Sequence, residues 1–575
     1  MTSYQWPGAD SGATVLRSRR TWGITVAAVL AATLGVAGCS SGSTPTGQKA
    51  AAPNGGDAGK EYRPTGPLMV DTGFRPDKDG FGFQNYGNEA GITNLTPDEM
   101  RKLFGDKICA DAAAGKCDLT PQAQLWMEEQ NAGMNGGHCY GMSVASLLLW
   151  KKKMNAADLG GQSTLELVKD NAATQKAIAY TFVHQALPSV KQGTVKGTPN
   201  EIVDRLLKEL KPDNPETWTI GFYKRDGSGG HAVTPYAVED NGNGKAEILI
   251  YDNNFPKTVQ RIEVDRKANT WKYTTAANPN DPAETYEGDA STPPIELLPA
   301  NPGLPEQPFP LAGAGGSGGG GSNSGTPFLA AKPDGSIPSE VFLEADPRNH
   351  GHLLITDSAG HRTGFVNGKL VNEIPGATAE ARLMGDWDAS PEPVYTIPAG
   401  VHFKIALDGK DMKSKDKETV GIIGATFDLA VEDINLNPGE QDVIDPSSDN
   451  GGLTYTASKA QSPTITFGAT DPHSYYTFTV QNAAVGDNGS IGAHLAPPGQ
   501  PFTVDASKAG AKGGYTINVE REDDKGVRLF KRQGIALESG DTAAFDYSGW
   551  DGGGQTIALA VTHQGKKTTQ NLTTE

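Results

Sequence analysis

Apolar residues at Ile202, Val203, Leu206, Leu207 and Leu210 recur at the three- and four-residue spacing of one helical face. Thr198-Pro199-Asn200-Glu201 precedes them with a capping-box pattern and a proline at the first helical position, which predicts an amphipathic helix. The period then changes. TWTIGFY (217–223), HAVTPYAV (231–238) and AEILIYD (246–252) are short strand patterns joined by RDGSGG and EDNGNGK, whose Asp, Asn and Gly residues favour tight reversals. Upstream, MSVASLLLW (142–150) has the composition of a buried helix. Far downstream only strand signals remain: Phe427, Leu429 and Val431 alternate with other residues, as do Tyr515, Ile517 and Val519, and Ile557, Leu559 and Val561. Asn367-Gly368 between GFV and KLV is a hairpin turn signal. The patterns predict an α+β first region, with a helical half leading into an antiparallel sheet, and a β-sandwich-like second region of one or two modules, with a weak break near Ser458 to Ser462.

At 575 residues and 37% apolar composition the chain is too long for one core and has enough apolar material for several. A proline-rich then glycine-rich stretch predicts a linker over 301–326, across which few contacts are expected, so the first region (62–300) and the second (327–575) are expected to fold independently. At the N-terminus, Arg17, Arg19 and Arg20 precede TWGITVAAVLAATLGVAG, an uncharged apolar run of signal-peptide length. It ends in Val36-Ala37-Gly38-Cys39, which resembles the lipobox of bacterial lipoproteins. That resemblance implies cleavage over 1–38, lipidation of Cys39 and attachment to the outer face of the cytoplasmic membrane. Residues 39–61 are small and polar and read as a flexible tether. The export route, general or twin-arginine, stays open. A formal net charge of −18 supplies no general basic field, so nucleic acid is not an expected partner.

The chain has four cysteines. Cys109 and Cys117 stand close together in CADAAAGKC, and in an oxidising compartment a local disulfide is the economical reading. With Cys39 taken by lipid, Cys139 is left without a partner. It follows Gly136 and Gly137 and stands at the start of the apolar helix pattern, where the helix dipole favours a thiolate. A thiolate nucleophile needs a base and an orienting group. His138 adjoins the cysteine and His184 lies in a helical-looking run, whereas His231 begins a strand. If HAVTPYAV and AEILIYD pair with Val238 opposite Lys245, His231 stands opposite Asp252, and Asn253 takes that place after a slip of one residue.

The order of cysteine on a helix, then histidine and Asp or Asn on a following sheet, resembles the papain-like cysteine peptidase superfamily. GHCYGMS is similar to the nucleophile segment of a bacterial branch with Gly-x-Cys-x-Gly-x-Ser, and GFGFQNYGN, GHAV and YDNN look like parts of the same domain, over residues 62–300. The resemblance implies a papain-like fold, Cys139 as nucleophile, His231 as general base and acid, and Asp252 or Asn253 as orienter. The Cys-Gly-Ser-Cys-Trp signature is absent, and Gly133 stands where the family has an oxyanion-hole glutamine. Gln130, Asn131 and Asn135 are the amide candidates for that role, beside the Cys139 backbone N–H.

The expected function is thus that of a membrane-anchored extracellular cysteine peptidase acting on a protein or peptide through a thioester, without a cofactor. Its β modules would bind a cell-envelope partner. A transglutaminase or peptidoglycan amidase would use the same three residues, and a non-enzymatic surface lipoprotein with an inactive peptidase fold is the rival from another class. His350-Gly351-His352 lacks the Cys or carboxylate spacing of a zinc site and is read as a strand edge; Asp77-Lys78-Asp79-Gly80 is read as a surface turn rather than a calcium loop. No metal is expected.

Overall fold

The computed structural model describes residue 64 and residues 66–575, apart from 88–90, 112–116, 226–228, 276–282, 293, 312–337, 347, 384–391, 425–426, 448–450, 472–473, 496–500, 524–525, 549 and 551–555. The expected signal peptide (1–38), Cys39 and the expected tether (39–61) lie outside the described residues, as does most of the glycine-rich stretch. Helices of the first region are α1 (Pro76–Asp79), α2 (Pro97–Phe104), α3 (Pro121–Gly133), α4 (Cys139–Trp150), α5 (Ala172–Phe182), α6 (Pro188–Gly193) and α7 (Pro199–Glu209). Its strands are β1 (Leu68–Asp71), β2 (Cys109–Asp111), β3 (Asp118–Leu119), β4 (Val195–Lys196), β5 (Trp218–Tyr223), β6 (Gly230–Gly242), β7 (Lys245–Tyr251), β8 (Gln260–Asp265), β9 (Thr270–Thr275), β10 (Glu284–Asp289) and β11 (Ile295–Pro299).

The expected helix is α7: Glu201 N donates to Thr198 Oγ1, and Thr198 N donates to Glu201 Oε2, so the capping box is closed from both sides. Nine strands form an antiparallel sheet in the order β10-β9-β8-β7-β6-β5-β11-β4, with β1 added to β6. Alternation along β6 and β7 separates its two faces. Val238, Ile248 and Ile250 pack with Ile202, Val203 and Leu206 of α7, while Ala237, Leu249 and Tyr251 pack with Leu147 of α4 and Phe74. A helix therefore covers each face.

The register of β6 on β7 differs from the expected one. Val238 pairs with Ile248, not with Lys245, because β6 runs on to Gly242 before the chain reverses at Asn243 and Gly244, both at positive φ. Two irregularities interrupt the ladder, one between Pro235 and Ala237 and the other between Asp240 and Gly242. Pro235 has no N–H to give the ladder, which makes its neighbourhood a natural place for a bulge.

The second region is mostly strand. Asn367 and Gly368 both have positive φ between the strands Arg362–Val366 and Lys369–Asn372, the hairpin geometry that this dipeptide signals. Its strands make sheets of nine and eleven, and a single apolar core runs from Val341 to Leu572. The expected break near Ser458 to Ser462 falls between the strands Gly452–Thr456 and Thr464–Asp471, yet both sheets continue across it: Thr464–Asp471 pairs with Phe427–Leu436, and Gly452–Thr456 with Ser490–Leu495.

The linker boundary is corrected at its first half. Phe309 meets Phe104 at 5.2 Å and Trp126 at 6.0 Å, both edge to face, Leu311 is buried, and Gln307 N donates to Leu103 O. Residues 301–311 thus belong to the first region, since prolines give up little entropy while the aromatic ring supplies the buried area. The two regions also touch. Helix α3 packs on the strands Phe427–Leu436 and Thr464–Asp471, and Lys191 pairs with Glu380 at 2.5 Å. Among the described residues no helix is long and apolar enough to cross a membrane.

Candidate active site

The Gly-x-Cys-x-Gly-x-Ser segment has a structural reason at each fixed position. Gly137 sits at φ 126°, where a side chain would be strained, and lets the 3-10 turn Met134–Gly136 swing into α4. Cys139 is the first residue of that helix. Gly141 lies so close to the Ile178 carbonyl of α5 that a Cβ there would clash with it. Ser143 Oγ donates to Ala232 O at 3.1 Å, which pins α4 to β6 one residue after His231.

Cys139 is free and fully buried, and its Sγ accepts a hydrogen bond from Ala232 N at 3.3 Å. His231 is buried beside it. Its Nε2 meets Asp252 Oδ1 at 2.9 Å, so Nδ1 is the nitrogen available to the thiol. Burial disfavours the imidazolium, but the charges of Asp252 and Cys139, with a hydrogen bond to each, outweigh it and raise His231 to about 10. Burial also pushes the Asp252 carboxyl up. The His231 charge and hydrogen bond, with donors from Tyr273 and Asn254 N, hold it below its ordinary value. Asp252 accepts four hydrogen bonds in all: from His231, from Asn254 N at 2.9 Å, from Tyr273 OH at 2.7 Å and from Thr275 Oγ1 at 3.0 Å.

Asn253 faces elsewhere. Its Nδ2 donates to Cys139 O, Ser143 Oγ and Ala232 O at 3.1, 3.2 and 2.9 Å, tying the helix start to the strand that carries His231. Of the two orienter candidates, the structure therefore brings Asp252 to the imidazole. The meeting does not come from the expected strand register, because His231 pairs with Phe222 of β5 and β7 ends at Tyr251. Asp252 reaches the ring from the turn beyond β7.

The other histidines are accounted for by packing. His138 bonds Tyr86 O at 2.6 Å and Asn94 Oδ1 at 2.9 Å, stacks on Tyr86, and is held down to about 4 by burial. His184 is buried and lowered to about 3 for the same reason. GFGFQNYGN threads between the two loops of the site: Asn85 N donates to Asn253 O, Asn85 Oδ1 accepts from His138 N, and Gln84 Nε2 donates to Asn254 O. Cys109 and Cys117 are disulfide-bonded.

The amide candidates separate. Gln130 Nε2 donates to Glu129 Oε2, and Asn131 exchanges hydrogen bonds with both backbone groups of Leu95, so the amide nitrogens of these two are already engaged. Asn135 is half-buried in the turn Met134–Gly136. The space that a side chain at Gly133 would take is filled by Arg382 of the second region, which pairs with Glu129 and donates to Glu129 O at 3.1 Å. The Arg382 carbonyl crowds Gly230, next to His231, and Leu383 crowds Gly221 while its N–H donates to Gln185 at 2.8 Å. Residues 382–383 thus lie between the cysteine-bearing and histidine-bearing segments. A groove of about 650 Å³ lies elsewhere, on the second region among Thr356, His402, Lys404, Asp445 and His494. Sequence spacing carries no signal for Arg382, because its partner lies some 250 residues earlier. Set against family models, curated proteins and solved structures, the chain matches none of them.

Proposed function

We propose that the chain is an exported, lipid-anchored thiol hydrolase of peptide bonds, papain-like in arrangement, held at Cys39 on the outer face of the cytoplasmic membrane. The observation that carries this reading is the buried chain of Cys139, His231 and Asp252, with the sulfur at the first residue of a helix and the imidazole held by a carboxylate that three further donors fix. In the reaction, His231 already holds the thiol proton on Nδ1, and Cys139 Sγ attacks the carbonyl carbon as the thiolate. The imidazolium gives the proton to the leaving amine as the C–N bond breaks, giving a thioester. Water, deprotonated by the same nitrogen, then releases the acid. Helix-start backbone N–H groups, which lack intrahelical acceptors, supply oxyanion stabilisation in place of the family glutamine.

Labelling the intact protein with an epoxysuccinyl peptide and locating the adduct tests the reading. Adduct at Cys139, lost in His231→Ala and accompanied by cleavage of an unfolded protein substrate, supports it. A reactive Cys139 with no cleavage, but with amide exchange onto an added amine, moves the reading to a transferase. Arg382 and Leu383, wedged against Gly133, Gly230 and Gly221, and the glycine at 133 itself favour a second reading, a surface binding protein with an inactive site. An inert Cys139 in both wild type and Arg382→Ala would establish that one.

A further inference from the structure

His350-Gly351-His352 leads into the strand His352–Asp357 and has no Cys or acidic residue at zinc-site spacing along the chain. The fold supplies the missing carboxylate. Glu392, just ahead of the strand Val394–Ile397, comes alongside, and one ligand atom from each of His350, His352 and Glu392 lies within 4.8 Å of the others.

Each of the three is held by an outer partner. Glu392 Oε1 accepts from Leu353 N at 2.8 Å and Tyr395 OH at 2.6 Å, which turns Oε2 toward His352 Nδ1 at 2.9 Å. His350 Nδ1–H donates to Gly351 O at 2.6 Å, so Nε2 is its ligating nitrogen. His352 stacks on Phe365 at 4.1 Å and stands edge-on to His350. Such outer bonds fix tautomer and aim, as they do around bound metals.

A second observation points the same way. Glu418 is 1% exposed; its Oε1 accepts from Gly351 N at 2.6 Å, while its Oε2 has no hydrogen-bond partner. It lies within electrostatic reach of Glu392 and His352. A buried carboxylate oxygen without a donor, beside a second buried carboxylate, is costly unless a proton or a cation relieves it, and the two imidazoles alongside supply cation ligands. Two imidazoles with a carboxylate suit zinc, whereas calcium and magnesium want oxygen alone.

We propose that His350, His352 and Glu392 bind one zinc ion, whose charge Glu418 balances from behind. The ion clips the turn before His352–Asp357 to Glu392, just ahead of the strand Val394–Ile397.

The test uses the full chain purified in detergent as Cys139→Ser, so that the thiol cannot hold metal, stripped with EDTA and dialysed against zinc. Elemental analysis is expected to give about one zinc per chain. Competition with a chromophoric chelator is expected to show that His352→Gln and Glu392→Gln weaken binding at least about a hundredfold. His361→Gln, which alters an exposed histidine paired with Asp357 on the same hairpin, should leave binding unchanged. Cobalt in place of zinc should give visible bands that His350→Gln removes; this readout decides the matter if another variant fails to fold. A parent that retains no zinc, or retention equal in all variants, overturns the proposal.

Discussion

Asp252→Ala is the sharpest perturbation of the site, because the side chain it removes accepts four hydrogen bonds from buried or backbone donors. Tyr273 and Thr275 hydroxyls can rotate toward other acceptors, but the His231 ring and Asn254 N–H cannot. Two unsatisfied buried donors at about 1–3 kcal/mol each give about 2–6 kcal/mol, in line with about 3–5 kcal/mol for a broken buried ion pair. The expected loss is therefore about 3–5 kcal/mol, a large fraction of a typical domain's stability. Asp252→Asn keeps the shape and removes the charge. Asp252 is first among the groups raising His231 to about 10, so in Asp252→Asn the His231 titration should move down by more than about one unit. A raised histidine contributes stability that is complete below its unfolded value near 6.5 and fades as pH rises through about 10. Wild-type stability should accordingly fall between pH 6.5 and 10, and the Asn variant should lose much of that slope. Urea unfolding at pH 6, 8 and 10, with the His231 ring followed by NMR, reads both quantities. An Ala variant within about 1 kcal/mol of wild type at pH 6, or a His231 titration that ignores the Asn change, would refute the coupling.

Three further outcomes are expected. Asn253→Ala removes three buried hydrogen bonds between α4 and β6 and should cost about 2–4 kcal/mol in urea unfolding, with Cys139 alkylation altered because the helix start is released; unchanged stability would show that Asn253 is not the clamp. Gly141→Ala forces α5 away from α4 and should cost about 1–3 kcal/mol, and a neutral result would contradict the close approach of the Ile178 carbonyl. Phe309→Ala should destabilise the first region by about 3–5 kcal/mol, whereas a true linker residue would leave it unchanged.

Much of the cysteine side of the site was legible because its constraints are local. Gly137, Cys139, Gly141 and Ser143 fall within one turn and the first helical turns, so their spacing survives in sequence. The disulfide pair is local for the same reason. The choice between Asp252 and Asn253 was not legible: it depends on the bulge near Pro235 and on a turn that carries Asp252 past the end of β7, and no pairing arithmetic contains either. Phe309 was hidden by its proline neighbours, which mark a linker by composition even where an aromatic ring is buried. Glu392 reaches His350 and His352, and Arg382 reaches Glu129, by tertiary contacts between residues far apart in the chain. The unbroken double sheet beyond Ser462 is equally non-local, since strand alternation fixes faces and not neighbours.

The placement of Arg382 gives the molecule a history as well as a shape. Every residue of the Cys139, His231 and Asp252 cluster, with its supports Tyr273 and Thr275, is made before Leu383. At roughly 5–20 residues per second, the hundred or so residues between them take about 5–20 s to synthesise. A newborn chain thus has its sulfur and imidazole in hand while the side chain that fills the room at Gly133 does not yet exist. The filling of that space is an event in the life of each molecule, and a chain stopped at the glycine-rich stretch remains permanently at the earlier stage.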